Sequence, residues 1–377
     1  MADNKQNTNP NVPNLRFGEY SDEWNLTELQ KVATISKGSG ISKDQLSENG
    51  TYCILYGELY TKYNSEIISE VYSKTELDAA NLVKSKENDV IIPCSGETAI
   101  DISTARCVPF NGILLGGDLN IIRLKNQNGG FFAYQLNGKR KVDIAKVAQG
   151  VSVVHLYGEH LKRVKIAYPT YSEQKKIADF LSLLDSRIAT QNKIIQQLQS
   201  LIKGIVVSVT AETPNTRIEK CLACHSSTLQ ENQIEECGDF PVYGANGICG
   251  YTDNADFNEP AILIVKDGSG VGNVRYVSGQ YSAIGTQNIL TSQNEYCLKY
   301  IYFCLQAFNF VPYKTGMAIP HIYFKDYGKA KIYCPKYEKQ IEITKQIENI
   351  EKKIEIETQL LNKYEEQKKF LLSNMFI

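Results

Sequence analysis

Gly150-Val-Ser-Val-Val-His155-Leu-Tyr157 and Gly316-Met-Ala-Ile-Pro-His321-Ile-Tyr323 stand 166 residues apart. The same offset carries Lys165-Ile166 onto Lys331-Ile332, Pro169 onto Pro335, Tyr171 onto Tyr337 and Gln174 onto Gln340, without a gap. A constant offset that includes Gly, His and Pro, which exchange poorly with other residues, marks an internal repeat. The chain is therefore read as one unit used twice.

The repeat runs on into two long helical patterns. From Ser172 to about Val207 there is no proline, and the one glycine is Gly204. Ile177, Leu181, Leu184, Ile188, Ile195, Leu198, Ile202 and Ile205 follow the 4-3 spacing of a coiled-coil seam. The offset maps them onto Ile343, Ile347, Ile350, Ile354, Leu361, Tyr364, Lys368 and Leu371, with Lys368 a lapse. Gln191 and Glu357 are polar at matching seam positions, where a polar side chain can set register. A helix of about 36 residues is roughly three times the usual length and implies a helical partner. The other copy is the nearest candidate, and antiparallel pairing would hold two globular domains apart. The plainer alternative is two amphipathic helices, each packing on its own domain.

Upstream of each helix the repeat is looser. Leu29-Gln30-Lys31 answers to Ile218-Glu219-Lys220, and Gly50 through Gly57 to Gly238 through Gly244. The apolar runs Asp89-Val-Ile-Ile92 and Ala261-Ile-Leu-Ile-Val265 both read as buried strands followed by Gly-containing loops. Constant helices with divergent domains suggest a shared scaffold that presents two different binding surfaces.

Composition sets the outer limits. The 377 residues carry 42% hydrophobic and 22% charged side chains and a net charge of −1, which describes a soluble globular protein. An autonomous DNA binder is usually basic, so DNA affinity here would need local patches or partner subunits. No stretch reaches the roughly 20 apolar residues of a membrane span. Met1 to Pro13 is polar and Asn-rich, unlike a signal peptide, and reads as a disordered tail. The ten cysteines are scattered among apolar neighbours and read as reduced thiols of a cytoplasmic protein.

Two segments resemble one family. Asn11-Val-Pro-Asn-Leu-Arg-Phe17 with Tyr20-Ser-Asp-Glu-Trp24 is similar to the start of type I restriction-modification specificity subunits. Ile166-Ala-Tyr-Pro-Thr-Tyr-Ser-Glu-Gln-Lys-Lys-Ile-Ala178 resembles that family's Pro-Pro-x-x-Glu-Gln-x-x-Ile-Ala approach to its first long helix. The second copy departs from it, with Lys339 before Gln340. The resemblance covers the chain after residue 11. It implies a mixed α/β fold with two target-recognition domains separated by two long helices in an antiparallel coiled coil. The divisions expected are a tail over 1–14, recognition domains over 15–170 and 211–336, and long helices over 171–210 and 337–377. It implies a non-catalytic subunit that reads a split site in double-stranded DNA. The implied partners are two adenine methyltransferase subunits and, in the full complex, restriction-translocase subunits. S-adenosylmethionine, ATP and Mg would sit on those partners, and no cofactor or metal on this chain. A helix of about 36 residues spans about 54 Å, enough to bridge half-sites about 34 Å apart. A coiled-coil adaptor that binds proteins and no DNA sequence is the alternative function.

The candidate DNA contacts lie in loops. Lys266-Asp-Gly-Ser-Gly-Val-Gly-Asn-Val-Arg275 lacks the Gly-Lys-Ser/Thr of a phosphate cradle. Its Lys266, Ser269, Asn273 and Arg275 can donate to phosphates or base edges. In the first copy the candidates are Ser95, Thr98 and Arg106. Tyr56 and Lys62 in one copy, Tyr243 and Asn246 in the other, occupy equivalent loops. Asn120 and the pair Gln287-Asn288 offer amides that can read adenine. For each the plain reading is a turn at the end of a strand. His155 and His321 read as structural, with phosphate contact the alternative. Cys221-Leu-Ala-Cys224-His225 matches a haem-attachment string, but Val32 and Ile35 stand opposite the two cysteines, which places them in the core. Methyltransferase strings such as Asn-Pro-Pro-Tyr and a Walker lysine motif do not occur.

Overall fold

A computed structural model describes residues 11–150, 153–268, 270–293, 295–317 and 319–377. They form two compact units. Unit 1 runs to Asn192 and takes in Gln359–Ile377, and unit 2 is Lys193–Thr358.

Unit 1 contains β1 (Ala33–Lys37), β2 (Thr51–Ile54), β3 (Ser73–Thr75), β4 (Asp89–Pro93), β5 (Arg106–Val108), β6 (Leu114–Leu115) and β7 (Leu119–Leu124). They build a four-stranded antiparallel sheet, β1-β7-β4-β5, and a small sheet, β3-β2-β6, in which β2 and β6 run parallel. Unit 2 repeats this strand for strand. Its elements are β8 (Leu222–Ser226), β9 (Phe240–Gly244), β10 (Gly247–Thr252), β11 (Ala261–Val265), β12 (Val274–Val277), β13 (Ser282–Ala283) and β14 (Gln287–Ser292). They pair as β8-β14-β11-β12 and β10-β9-β13, with β9 and β13 parallel.

The two apolar runs are the central strands β4 and β11, and the period of two along a strand explains their composition. Val90 and Ile92 face a core shared with Trp24 and Phe131, while Ile91 faces a second core with Leu59 and Leu119. In unit 2, Ile262 and Ile264 face Tyr300 and Tyr327, while Leu263 faces Tyr281. Both faces are covered, so every position must be apolar. Each such side chain contributes about 1.5–3 kcal/mol.

A short helix follows the last strand of each main sheet: α1 (Gly129–Asn137) and α3 (Leu298–Gln306). The long helices are α2 (Tyr171–Thr210) and α4 (Tyr337–Asn374). Gln174 and Gln340 pin their starts in the same way. Gln174 Nε2 donates to the Pro169 carbonyl (2.9 Å) and its Oε1 accepts from Asn128 N–H (3.0 Å), at the cap of α1. Gln340 does the same with Pro335 (2.8 Å) and Cys297 (3.0 Å), at the cap of α3. Glu173 has no counterpart in the second copy. It is fully buried and grips Arg16 through two bonds of 2.7 Å, whereas Lys339 faces solvent.

The seam is the least exposed stripe of both helices. Ile177, Leu181 and Leu184 are buried in unit 1 with Leu371, Met375 and Phe376, and Ile343 and Ile347 in unit 2 with Val206. Ile188, Ile195, Leu198, Ile350, Ile354 and Leu361 are half-buried. Each unit thus holds the opening of one long helix and the close of the other, an antiparallel order. The helix ends pack on the domain cores. Lys368, the lapse in the seam, is an ion-pair site: its Nζ lies 2.6 Å from both Glu66 and Asp185.

Gly150 and Gly316 have φ of +123° and +89°. A Cβ there would lie 2.1 Å from the Val153 carbonyl oxygen and 2.3 Å from that of Ile319, so the repeat keeps glycine for steric reasons. The tail expected over 1–14 falls largely outside the described residues, but Asn11 accepts from Trp24 N–H (2.9 Å) and Pro13 is buried. Among the described residues no helix is long and apolar enough to cross a membrane.

Candidate nucleic-acid interface

In unit 2 the strand ends bring several candidates together. Gly244 ends β9, Asn273 precedes β12, Arg275 lies on β12 and Gln287 opens β14, around a cavity of about 240 Å³ floored by Leu263 and Val265. The Arg275 guanidinium lies 5.9 Å from the centre of the Tyr243 ring. Gly247 permits this, since a Cβ there would stand 2.8 Å from an Arg275 nitrogen. Asn246 is exposed at the turn between β9 and β10, and Asn273 is exposed at the cavity mouth. Gln287 is 1% exposed, and among the described residues its Nε2 has no hydrogen-bond partner. Lys266 follows β11 at the start of the Gly-rich loop, where its carbonyl accepts from Ile322 N–H (2.9 Å). Ser269 lies outside the described residues.

Asn288 is a correction. It is 5% exposed and donates to the Tyr327 hydroxyl (2.9 Å), so its amide is engaged in the unit 2 core that Tyr327 shares with Tyr300. Its counterpart Asn120 is likewise fully buried and donates to the Leu156 carbonyl (2.9 Å). Arg106 is also revised. It is 8% exposed, and its Nε and Nη2 donate to the Tyr63 carbonyl at 3.1 and 2.7 Å. Burial pulls it below its ordinary pKa although Glu66 and Asp185 lie near. A guanidinium so enclosed braces the domain.

The remaining unit 1 candidates are spread out. Tyr56 is exposed, and Lys62 binds buried Glu58 at 2.6 Å. Ser95 Oγ donates to Asp118 (3.1 Å) and pairs in register with His155, and Thr98 donates to Asp101 (2.6 Å). Among these, Tyr56, Lys62 and Thr98 are exposed.

One surface feature received less weight in the sequence than the structure gives it. Val153 and Tyr157 are 52% and 46% exposed, and their counterparts Ile319 and Tyr323 are 59% and 47% exposed. Between them His155 stacks on Tyr157 (centroids 6.2 Å) and His321 on Tyr323 (6.5 Å). His321 Nδ1 also meets Asp267 Oδ1 at 2.5 Å. The alternate residues Leu156 and Ile322 are buried. The 166-residue offset was the available signal, because it preserved residues that packing does not require.

The type I restriction modification DNA specificity domain family matches residues 21–200 and again 223–366, most of the chain. The chain belongs to this family. It is 28% identical over 109 residues to the EcoprrI type I restriction enzyme specificity subunit of Escherichia coli, a match that spans 29% of the chain and 27% of that relative. Its fold is similar to the S subunit of a type I restriction-modification system from M. genitalium, with TM-score 0.64 and 16% identity, covering 97% of this chain and 99% of that one. A chain from a structure describing complex assembly and conformational transition of the type I R-M system gives TM-score 0.56 and 13% identity, covering 93% and 96%. The specificity-subunit family and the mixed α/β fold expected from the sequence are thereby established.

Proposed function

We propose that this chain is the non-catalytic targeting subunit of a type I restriction-modification complex and reads a bipartite, asymmetric site in double-stranded DNA. The observation that carries this is the duplication itself: fourteen strands in two sets with identical sheet order, carrying different side chains at the strand ends. One scaffold with two surfaces suits two unlike half-sites. The long helices act as the spacer. At 1.5 Å per residue, their 40 and 38 residues span about 60 and 57 Å, more than the roughly 34 Å between half-sites one turn apart. Two methyltransferase subunits dock on the assembly and flip the target adenines. They bring S-adenosylmethionine, and the restriction-translocase subunits bring ATP and Mg. Phosphate binding by these partners fits a chain with net charge −1.

The test is methylome sequencing of a host carrying the chain with its methyltransferase subunit. The expected result is one split, asymmetric motif, whose spacer changes when a heptad is inserted in the long helices while the half-sites persist. Methylation without sequence preference would favour the adaptor reading. An unchanged spacer would remove the helices' role as a ruler.

A further inference from the structure

The cavity between β9, β12 and β14 has a local origin. Register places Leu119 of β7 where Gln287 stands in β14, and Arg106 of β5 where Arg275 stands in β12. In unit 1 a long segment joins β2 to β3, and its Leu59 and Tyr63 pack on Leu119 and Ile91. The same segment supplies the Tyr63 carbonyl that captures Arg106. In unit 2, β9 and β10 are joined by a tight turn at Ala245-Asn246, which leaves the space open, and Arg275 lies over the Tyr243 ring.

We propose that this cavity is a base-reading pocket and that it takes the major-groove edge of a guanine. This rests on the DNA-reading function above and names the chemistry of one part of it. Among the described residues Gln287 Nε2 is a buried donor without a partner, at a position where unit 1 uses leucine. Such a group is costly unless an acceptor arrives from outside. Arg275 carries donors and no acceptor. The pocket is thus rich in donors over an apolar floor of Leu263 and Val265. Guanine presents two acceptors, N7 and O6, in the major groove. Adenine and thymine present one each, and cytosine presents a donor. Phosphate would match the charge of Arg275 but not the apolar floor.

The test uses the chain assembled with its methyltransferase subunits, and duplexes of its own methylome-defined site in which each guanine in turn is replaced by 7-deazaguanine, which lacks N7. One guanine in the half-site read by unit 2 should be sensitive, with binding weakened roughly tenfold. In Gln287→Leu and Arg275→Ala the unmodified site should weaken by a similar factor, and 7-deazaguanine should cost nothing more. The other half-site should be read as before. No sensitive guanine, or a deaza effect undiminished in both variants, overturns the proposal. Equal weakening on every sequence with a shallower salt dependence would make Arg275 a phosphate contact and also overturns it. The 7-deazaguanine arm needs no altered protein, so a misfolded variant leaves the question decidable. If the unaltered complex shows no sequence preference, the function itself fails, which is a separate result.

Discussion

Unit 1 and unit 2 share a strand order and a helix pin, yet they close their interiors differently. Unit 1 closes with charge and insertion. Lys368 bridges Glu66 and Asp185, Arg16 grips Glu173, and the segment after β2 fills the space beside Leu119. Unit 2 closes with apolar and thiol groups. Ile202, the counterpart of Lys368, packs on the core with Ile343 and Ile347, and Cys221 faces Cys334. The difference teaches that the scaffold is set by backbone pairing and by a few repeated polar pins. Everything else is free to diverge, including whether a cavity exists.

The strongest way to break this comparison is to copy unit 2 into unit 1 at the helix. Tyr134 donates to Asp185 (2.7 Å), and Lys368 is 16% exposed beside carboxylates that are each 8% exposed. Burial opposes the charge on Lys368, yet Glu66 and Asp185 hold its pKa above the ordinary value. Lys368→Ile would leave two buried carboxylates without their cation. The expected loss is about 3–5 kcal/mol. The chain's single tryptophan, Trp24, is buried in unit 1, so its fluorescence during denaturation reports that unit. A loss below about 1 kcal/mol would show that the ion cluster does not hold the helix end.

A second contrast is Arg16–Glu173 against Lys339. Arg16→Ala strands a carboxylate that is 1% exposed, and a loss of about 3 kcal/mol is expected by the same fluorescence signal. Lys339 pairs at 2.9 Å with exposed Glu342, and Lys339→Ala should change stability by less than about 0.5 kcal/mol. Equal effects would mean that the two helix starts are held alike after all.

Much of the fold was legible because it is periodic or repeated. The seam from Ile177 announced the helices, and alternate residues of Asp89–Pro93 announced a strand covered on both faces. The site was less legible. Arg106 sits near a Gly-containing loop and reads as a surface donor, but its partner is a carbonyl 43 residues away, a contact that no local pattern encodes. Asn120 looked like part of a turn after Gly116-Gly117. It is the second residue of β7, and its side chain turns to the face opposite Leu119, where it bonds the Leu156 carbonyl. In unit 2 the same offset in register put Asn288 inward and Gln287 on the cavity.

A modest effect is expected at the cysteines. Cys221 is buried with its sulfur 3.8 Å from that of Cys334, and Cys224 is half-buried on β8 in register with Leu290. Their unit 1 counterparts are Val32 and Ile35, the latter in register with Ile122 on the equivalent strand. Burial pushes the Cys224 thiol up to about 11, which disfavours the thiolate that metal binding or nucleophilic attack requires. Among the described residues no three His, Cys, Asp or Glu side chains converge as metal ligands. Cys221→Val with Cys224→Ile copies unit 1 into unit 2 and exchanges one apolar filling for another. The combined change should stay under about 1.5 kcal/mol, read by hydrogen exchange of the amides of β8 and β14, with the recognised DNA site unaltered. A loss several times larger, or a changed half-site, would show that these sulfurs do more than pack. It would also show that equivalence by register does not extend from the backbone of the two units to the side chains it aligns.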